Sequence, residues 1–451
     1  MKYNLKTEGR TGYLLAVMAM IIAAAGCASN LMLEMRVDRY LPAEDYTGAL
    51  AELEGNQSKF GDRNRLLFLL NRGTLNFYSG SYERSASDFL EAARVSEELF
   101  TRRMSTEAAG LVNPNITPYD GEDYEKVMIH VFAAFSFIKM GKLEDAGVEA
   151  RAINQKLKLL SRKYEGENKY RNDAFAQYLA GIIYEALGEP NNAYVSYKLA
   201  LEGYRDYRKM FPFSVPEQLK LDILRLANYL GFRGQYEEYS NKFGLEIEIE
   251  EESGHYGEAV VIAMTGLVPF KRELEASFTH VDDEGKTHTF QILVPELVRR
   301  ESGIDNVYAG IPSEHEIGMF PAEEVQNITE IAMKNMSDKM PGIMLKTWLR
   351  ALAKFKATES AKDKMDTGNK LGNLIIGTIT DAVAEEVTRA DIRCWRTVPG
   401  RINMKRLRLK PGIYDLVIEM ERSGYPPERI VKENVEIKDR RISFLFAESF
   451  K

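Results

Sequence analysis

Cysteine, histidine and tryptophan are scarce in this 451-residue chain, and each shortage removes a class of chemistry. There are two cysteines, Cys27 and Cys394, so a framework of internal disulfides is excluded. The five histidines, His130, His255, His280, His288 and His315, include no pair at helical metal-ligand spacing, which argues against a zinc site. No GxSxG, P-loop, GxGxxG or HExxH pattern occurs, and the carboxylates are too many to single out a glycosidase pair. These absences favour a protein without catalytic machinery, cofactor or metal. The chain has no apolar run long enough to cross a bilayer, which takes about 20 residues. It has no excess of positive charge either: the net charge is −7, so nucleic acid is an unsuitable partner.

What is present begins at the N-terminus. Lys2, Lys6 and Arg10 precede a mostly apolar stretch, Gly12 to Ala25, which ends in Gly26-Cys27. This is the layout of a secretory signal peptide over 1–26. Ala24-Ala25-Gly26-Cys27 resembles the lipobox of bacterial lipoproteins, with Ala24 where leucine is usual. The resemblance implies that Cys27 is lipidated and becomes the mature N-terminus, with 27–39 as a tether. Ala28 and Ser29 follow, with no aspartate of the kind that retains lipoproteins in the inner membrane. An outer-membrane anchor facing the periplasm is the expectation. Loss of Lys2, Lys6, Arg10 and Glu8 with the leader would take the net charge from −7 to −9.

Residues 40–244 carry helical periodicity and an internal repeat. Gly73-Gly80-Phe89-Ala92, Ala134-Gly141-Ala150-Ile153 and Gly181-Gly188-Tyr197-Ala200 share the same offsets. The spacing matches a TPR helical hairpin: a small residue lets the second helix approach, a glycine ends the first helix, and an aromatic and an alanine fill the groove. A weaker copy is read with Gly234, Tyr236 and Phe243 on the ruler. Such stacking leaves a curved groove, the usual binding surface of solenoids.

After Phe243 the pattern changes to short strands. Leu245–Ile249 and Glu258–Ala263 read as strands, and 272–294 as a hairpin turning at Asp282–Gly285, with His280 and His288 facing each other. A helical insertion is expected over 321–390, starting at Pro321-Ala-Glu-Glu. Four strands around Lys410-Pro411-Gly412 and Lys438-Asp439-Arg440 close the chain. The fold class expected is α+β and multi-domain: an N-terminal TPR-like α-solenoid (40–244), then an antiparallel β-sandwich-like domain (245–451) with the insertion. Cys394 reads as a small buried hydrophobe, and Trp348 and Trp395 as core anchors.

LLFLLNRGTLNFYSGSYERSASDF, TPYDGEDYEKVMIHVFAAFSFIKMGKLEDAGVEARAINQ and ADIRCWRTVPGRINMKRLRLKPGIYDL, together with the lipobox, resemble a family of uncharacterised TPR-containing bacterial lipoproteins. The resemblance covers most of the mature chain. It implies no enzymatic activity and a loose association with activation of peptidoglycan synthesis. The function expected is a periplasmic adaptor or scaffold that binds an envelope protein in the helical groove and contacts a second partner or the cell wall through its strands. The rival readings are an envelope glycan-acting enzyme and a subunit of an export or exopolysaccharide machine.

The candidate partner-binding residues are Tyr119, Glu122, Glu125, Arg151 and Asn154. Asp120 is placed to cap the helix that follows, with Asp123 in its first turn. Arg151 and Asn154 share a helix face, from which Arg151 could pair with Glu125 either as a structural brace or as part of a site.

Overall fold

The computed structural model describes residues 33–106, 115, 117–163, 173–247, 255–281, 285, 287–311, 318–365 and 389–451. The leader and Cys27 lie outside the described residues. The chain is α+β, with its N-terminal half helical.

Helix α1 spans 33–40 and α2 spans Tyr46–Gly55. Four helical hairpins follow: α3 (Arg65–Tyr78) with α4 (Tyr82–Thr106), α5 (Asp123–Lys139) with α6 (Leu143–Lys163), α7 (Ala174–Ala186) with α8 (Pro190–Met210), and α9 (Glu217–Tyr229) with α10 (Arg233–Phe243). Every first helix ends the same way. Gly80, Gly141, Gly188 and Gly231 take positive φ, and the next residue donates its N–H to the carbonyl five positions back, as Glu189 does to Tyr184 at 2.8 Å. That closure satisfies carbonyls a helix end would leave bare, and glycine adopts it without strain. The fourth turn glycine is therefore Gly231. Gly234, expected on the ruler, lies inside α10. Counting from Gly231 puts Leu224, Ser240 and Phe243 on the same offsets as the other copies. Within the hairpins, a Cβ on Gly73 would fall 2.9 Å from the Phe89 ring, and one on Gly181 would fall 2.3 Å from Tyr197. These two glycines set how closely the paired helices approach.

Residues 27–39 are not all tether: Leu33 and Val37 of α1 are buried, so folding starts within that span because its apolar residues pack into the main core.

Among the described residues, the second half forms two four-stranded sheets and a hairpin. One sheet has the order β10-β1-β7-β6, from Ile442–Ser449, Gly257–Leu267, Pro399–Leu409 and Glu323–Asn327. The other is β5-β4-β8-β9, from Met319–Pro321, Asn306–Gly310, Gly412–Glu421 and Glu428–Ile437. β2 (Phe270–Val281) and β3 (Thr287–Val298) form the expected hairpin, with His280 opposite His288. β1 is apolar along nearly its whole length because both its faces are covered. Val260, Ile262 and Met264 join the core shared with the helices, whereas Ala259, Val261 and Ala263 join a second core with β4, β8 and β9.

Three expectations are corrected. β10 pairs with β1 in parallel, so the first sheet is mixed rather than antiparallel. Residues 323–327 form a strand on β7, with Val325 fully buried, and the helix of the insertion, α11, begins only at Ile328 and runs to Met365. The Pro-Ala-Glu-Glu sequence suits a helix start, but sheet pairing outweighs that local preference. Leu245–Ile247, expected as part of a strand, is irregular.

Because Gly231 is left-handed and Gly234 helical, alanine should separate them. Gly231→Ala should cost about 1 kcal/mol, and Gly234→Ala, which meets nothing within 4 Å, should be neutral or stabilise by up to about 1 kcal/mol. Urea titration followed at 222 nm measures both.

Candidate functional site

The first helices of the first three hairpins carry little exposed surface. In α7 every residue from Ala174 to Tyr184 is buried, and in α5 every residue from Asp123 to Ile129. The second helices cover one side of them. The other side, where a solenoid would leave its groove open, is covered by the chain's own second half. The groove expected to receive a partner along these helices is thus occupied.

The residues that occupy it are centred on 391–398. Trp395 is fully buried, with ring centroids 5.8 Å from both Phe89 and Phe132. Its indole N–H donates to Thr397 Oγ1 at 3.1 Å, and the Thr397 hydroxyl donates to Asn71 Oδ1 at 3.1 Å. Tyr78 Oη donates to the Thr397 carbonyl at 2.9 Å. Farther along, the Tyr204 hydroxyl donates to the Val325 carbonyl at 2.7 Å and Gln326 donates to Asp173 at 2.9 Å.

Three of the five candidate residues belong to this junction. Tyr119 donates to Glu125 Oε2 at 2.5 Å, the Glu122 N–H donates to the same oxygen at 2.9 Å, and the Trp395 N–H donates to Glu125 Oε1 at 3.0 Å. Burial, reinforced by the charge of Glu122, raises the Glu125 carboxyl above its ordinary range, against the pull of these donors. Glu122 receives Lys271 at 2.6 Å, Lys339 at 2.5 Å and Asn335 at 2.9 Å, which ties α5 to β2 and α11. Burial alone would raise its carboxyl, but the two ammonium groups hold it well below the usual range. The helix cap is corrected accordingly. Glu122 is the N-cap and Glu125 closes a capping box; Asp123 is the first helical residue, and Asp120 lies outside.

Arg151 and Asn154 lie elsewhere, so the expected pairing of Arg151 with Glu125 does not form. They line a shallow pocket of about 250 Å³ with Tyr184, Asn192, Val195, Ser196 and Leu199. Arg151 is exposed, and Asn154 Oδ1 is buried without a hydrogen-bond partner.

Sequence reasoning missed two buried charge clusters. Arg406 of β7 reaches Glu185 at 3.2 Å, Asp222 at 3.0 Å and Glu258, which joins α7, α9 and β1. Arg396 pairs with Asp38 of α1 and lies over the Phe270 ring at 4.7 Å, while Arg300 approaches Asp38 at 3.3 Å. Beside them burial raises Glu34 to about 8. The signal present in the sequence was alternation in β7, which puts Arg406 on the same face as Ile402 and Met404, but nothing local marks its partners. Cys394 is buried as expected, and burial pushes its thiol up to about 11, the opposite of what a nucleophile needs. Among the described residues no group of three metal-ligating side chains converges.

No family model matches the chain, and no curated protein matches it. Of the solved structures similar to it, the apo form of RapI is 14% identical with a TM-score of 0.32, covering 44% of this chain and 48% of RapI, so the chain spans about half of that protein's length. BtubC from P. vanneervenii is 14% identical with a TM-score of 0.34, covering 54% of this chain and 92% of its own. Likenesses this slight carry no argument.

Removing the Glu122 carboxylate leaves Lys271 buried without its partner. Glu122→Ala should cost about 3–5 kcal/mol, whereas Arg151→Ala on the surface should stay within about 0.5 kcal/mol. The Glu122 carboxyl is held below its unfolded value of 4.5, so its contribution is present above that pH and fades as pH falls. Chemical denaturation of both variants between pH 7 and pH 3 checks cost and sign together.

Proposed function

We propose that this protein is a non-catalytic scaffold of the bacterial envelope, held to the outer membrane on its periplasmic side by a lipid on Cys27. The observation that carries the reading is the position of Leu33, fully buried six residues after Cys27. Six residues span at most about 20 Å, so a lipid on Cys27 would hold the folded body against the bilayer. The lipobox-like sequence supports the anchor. The scaffold reading is supported by how the ionisable groups are used: Glu122, Glu125, Arg396 and Arg406 each join one element to another.

The finer description of the fold belongs to the same proposal. We read the hairpins as a TPR-like array, on the strength of the shared ruler and the four glycine closures. The two sheets we read as sandwich-like, since they share one apolar core.

With the inner face of the array filled, the partner surface proposed is the outer one. Arg151 offers a cation there, beside Val195, which is 57% exposed. An envelope protein presenting a carboxylate beside an apolar contact suits that chemistry.

Two experiments test the proposal. Cys27→Ser should release the protein to the soluble periplasmic fraction or leave it unprocessed, and membrane retention of the processed variant contradicts the anchor. Crosslinking in intact cells should recover an envelope partner that Arg151→Glu with Val195→Asp loses at unchanged melting temperature. Recovery unaffected by those changes contradicts the surface.

A further inference from the structure

Helix α11 has apolar side chains on two sides. On one, Met340 and Ala351 pack with Ile292, Val294 and Phe278 of the hairpin, and Trp348 meets Phe278 edge-on at 5.9 Å. On the other, Met344 is 44%, Leu345 53% and Leu349 38% exposed, while Thr347 between them is buried. A helix packed on one side only turns polar residues outward, so the exposed stripe calls for a second apolar neighbour.

The charge around the stripe indicates which neighbour. Lys339 is committed to Glu122, but from Met340 to Thr358 the sequence carries Lys346, Arg350, Lys354 and Lys356 and no acidic residue, in a chain whose net charge is −7. Lys346 is exposed within the stripe. Apolar residues interspersed with cations of one sign along a helical sequence are the composition of a helix lying in a bilayer interface, with its apolar face among the acyl chains and its ammonium groups among the phosphates.

The position of the stripe agrees. Asp38 of α1 holds Arg396, whose guanidinium covers Phe270 at the start of β2. The next residue, Lys271, and Lys339 of α11 share Glu122. The root of the α11 arm is thereby joined to α1, the element nearest Cys27, and Leu345 stands about 9 Å along α11 from Lys339 at about 1.5 Å per residue.

We propose that the Met344, Leu345 and Leu349 face of α11 docks on an anionic phospholipid surface, as a second membrane contact beside the anchor. The choice of a membrane as neighbour leans on the Cys27 reading; the apolar stripe and its charges do not. The face carries no hydrogen-bonding side chain except Lys346 and no carboxylate, which suits lipid better than a folded partner.

The test uses residues 28–451, which contain every described residue and lack the acylated cysteine. Flotation with vesicles of phosphatidylethanolamine and phosphatidylglycerol should recover the protein, phosphatidylcholine vesicles should not, and added salt should weaken recovery. Leu345→Glu with Leu349→Glu should lower vesicle affinity about tenfold or more at unchanged melting temperature. Three results overturn the proposal: no binding to the anionic vesicles, binding indifferent to the double substitution, or a double variant whose melting temperature drops because the chain's own residues or a second copy cover the face. Mass analysis of Cys27 in the full chain keeps the two readings apart. Acylation without vesicle binding by residues 28–451 defeats only this proposal, and vesicle binding without acylation defeats only the anchor.

Discussion

The burial of Trp395 against Phe89 and Phe132 joins the two halves of this chain, and much of the remaining architecture depends on it. An indole of this size removes roughly 150–250 Å² of apolar surface from water, at a site built from two helices more than 250 residues away in sequence. Its backbone N–H is also committed, to Glu125, and Glu125 in turn closes the capping box of α5. One segment thus fills a face, starts a helix and satisfies a buried carboxylate. Once it is docked, Arg396 and Arg393 are carried to their partners: Arg396 to Asp38 on α1, and Arg393 to Asn64 and the Thr117 carbonyl.

The buried charges follow from that arrangement. Taking Glu122, Arg396 and Arg406 out of water is expensive: Glu122 and Arg406 are each retained with two or more charged partners drawn from different elements, and Arg396 with Asp38 and the face of the Phe270 ring. Charges used in this way add little net stability, yet they penalise any docking that leaves one unmatched, so they select one relative placement of helices and sheets. Pairing and burial also set the charge state of these groups. Glu122 is held ionised between two ammonium groups, and the Cys394 thiol is held protonated by burial.

Legibility in the sequence followed the range of the interactions. Gly80, Gly141 and Gly188 were readable because a left-handed closure is settled within six residues, and the β2–β3 hairpin with its His280–His288 register because alternation and a turn settle it within about 25. Gly231 was missed for Gly234 because the sequence offers two glycines three apart, and only the helix end shows which one turns. Glu122 was missed as a cap because Asp120 has the commoner capping side chain, although Glu125 three residues after Glu122 completes a capping box within the sequence itself. The parallel β10, the strand at 323–327 and the filled face of α3, α5 and α7 all arise from pairings across more than 70 residues, on which local patterning is silent. The exposed Arg151 and the buried Glu125 look alike on a helical ruler, and the fold separates them.

The claim beneath this account is that 391–398 is an integral part of the helical half, so the halves fold as one unit. Equilibrium unfolding of Trp348→Phe, with Trp395 as the remaining indole, addresses it directly: Trp395 fluorescence and ellipticity at 222 nm, followed in one urea titration, should give superimposable transitions. A fluorescence change completed at lower urea, with the helical signal still native, would show that the segment docks onto an array already folded without it, and would contradict the account.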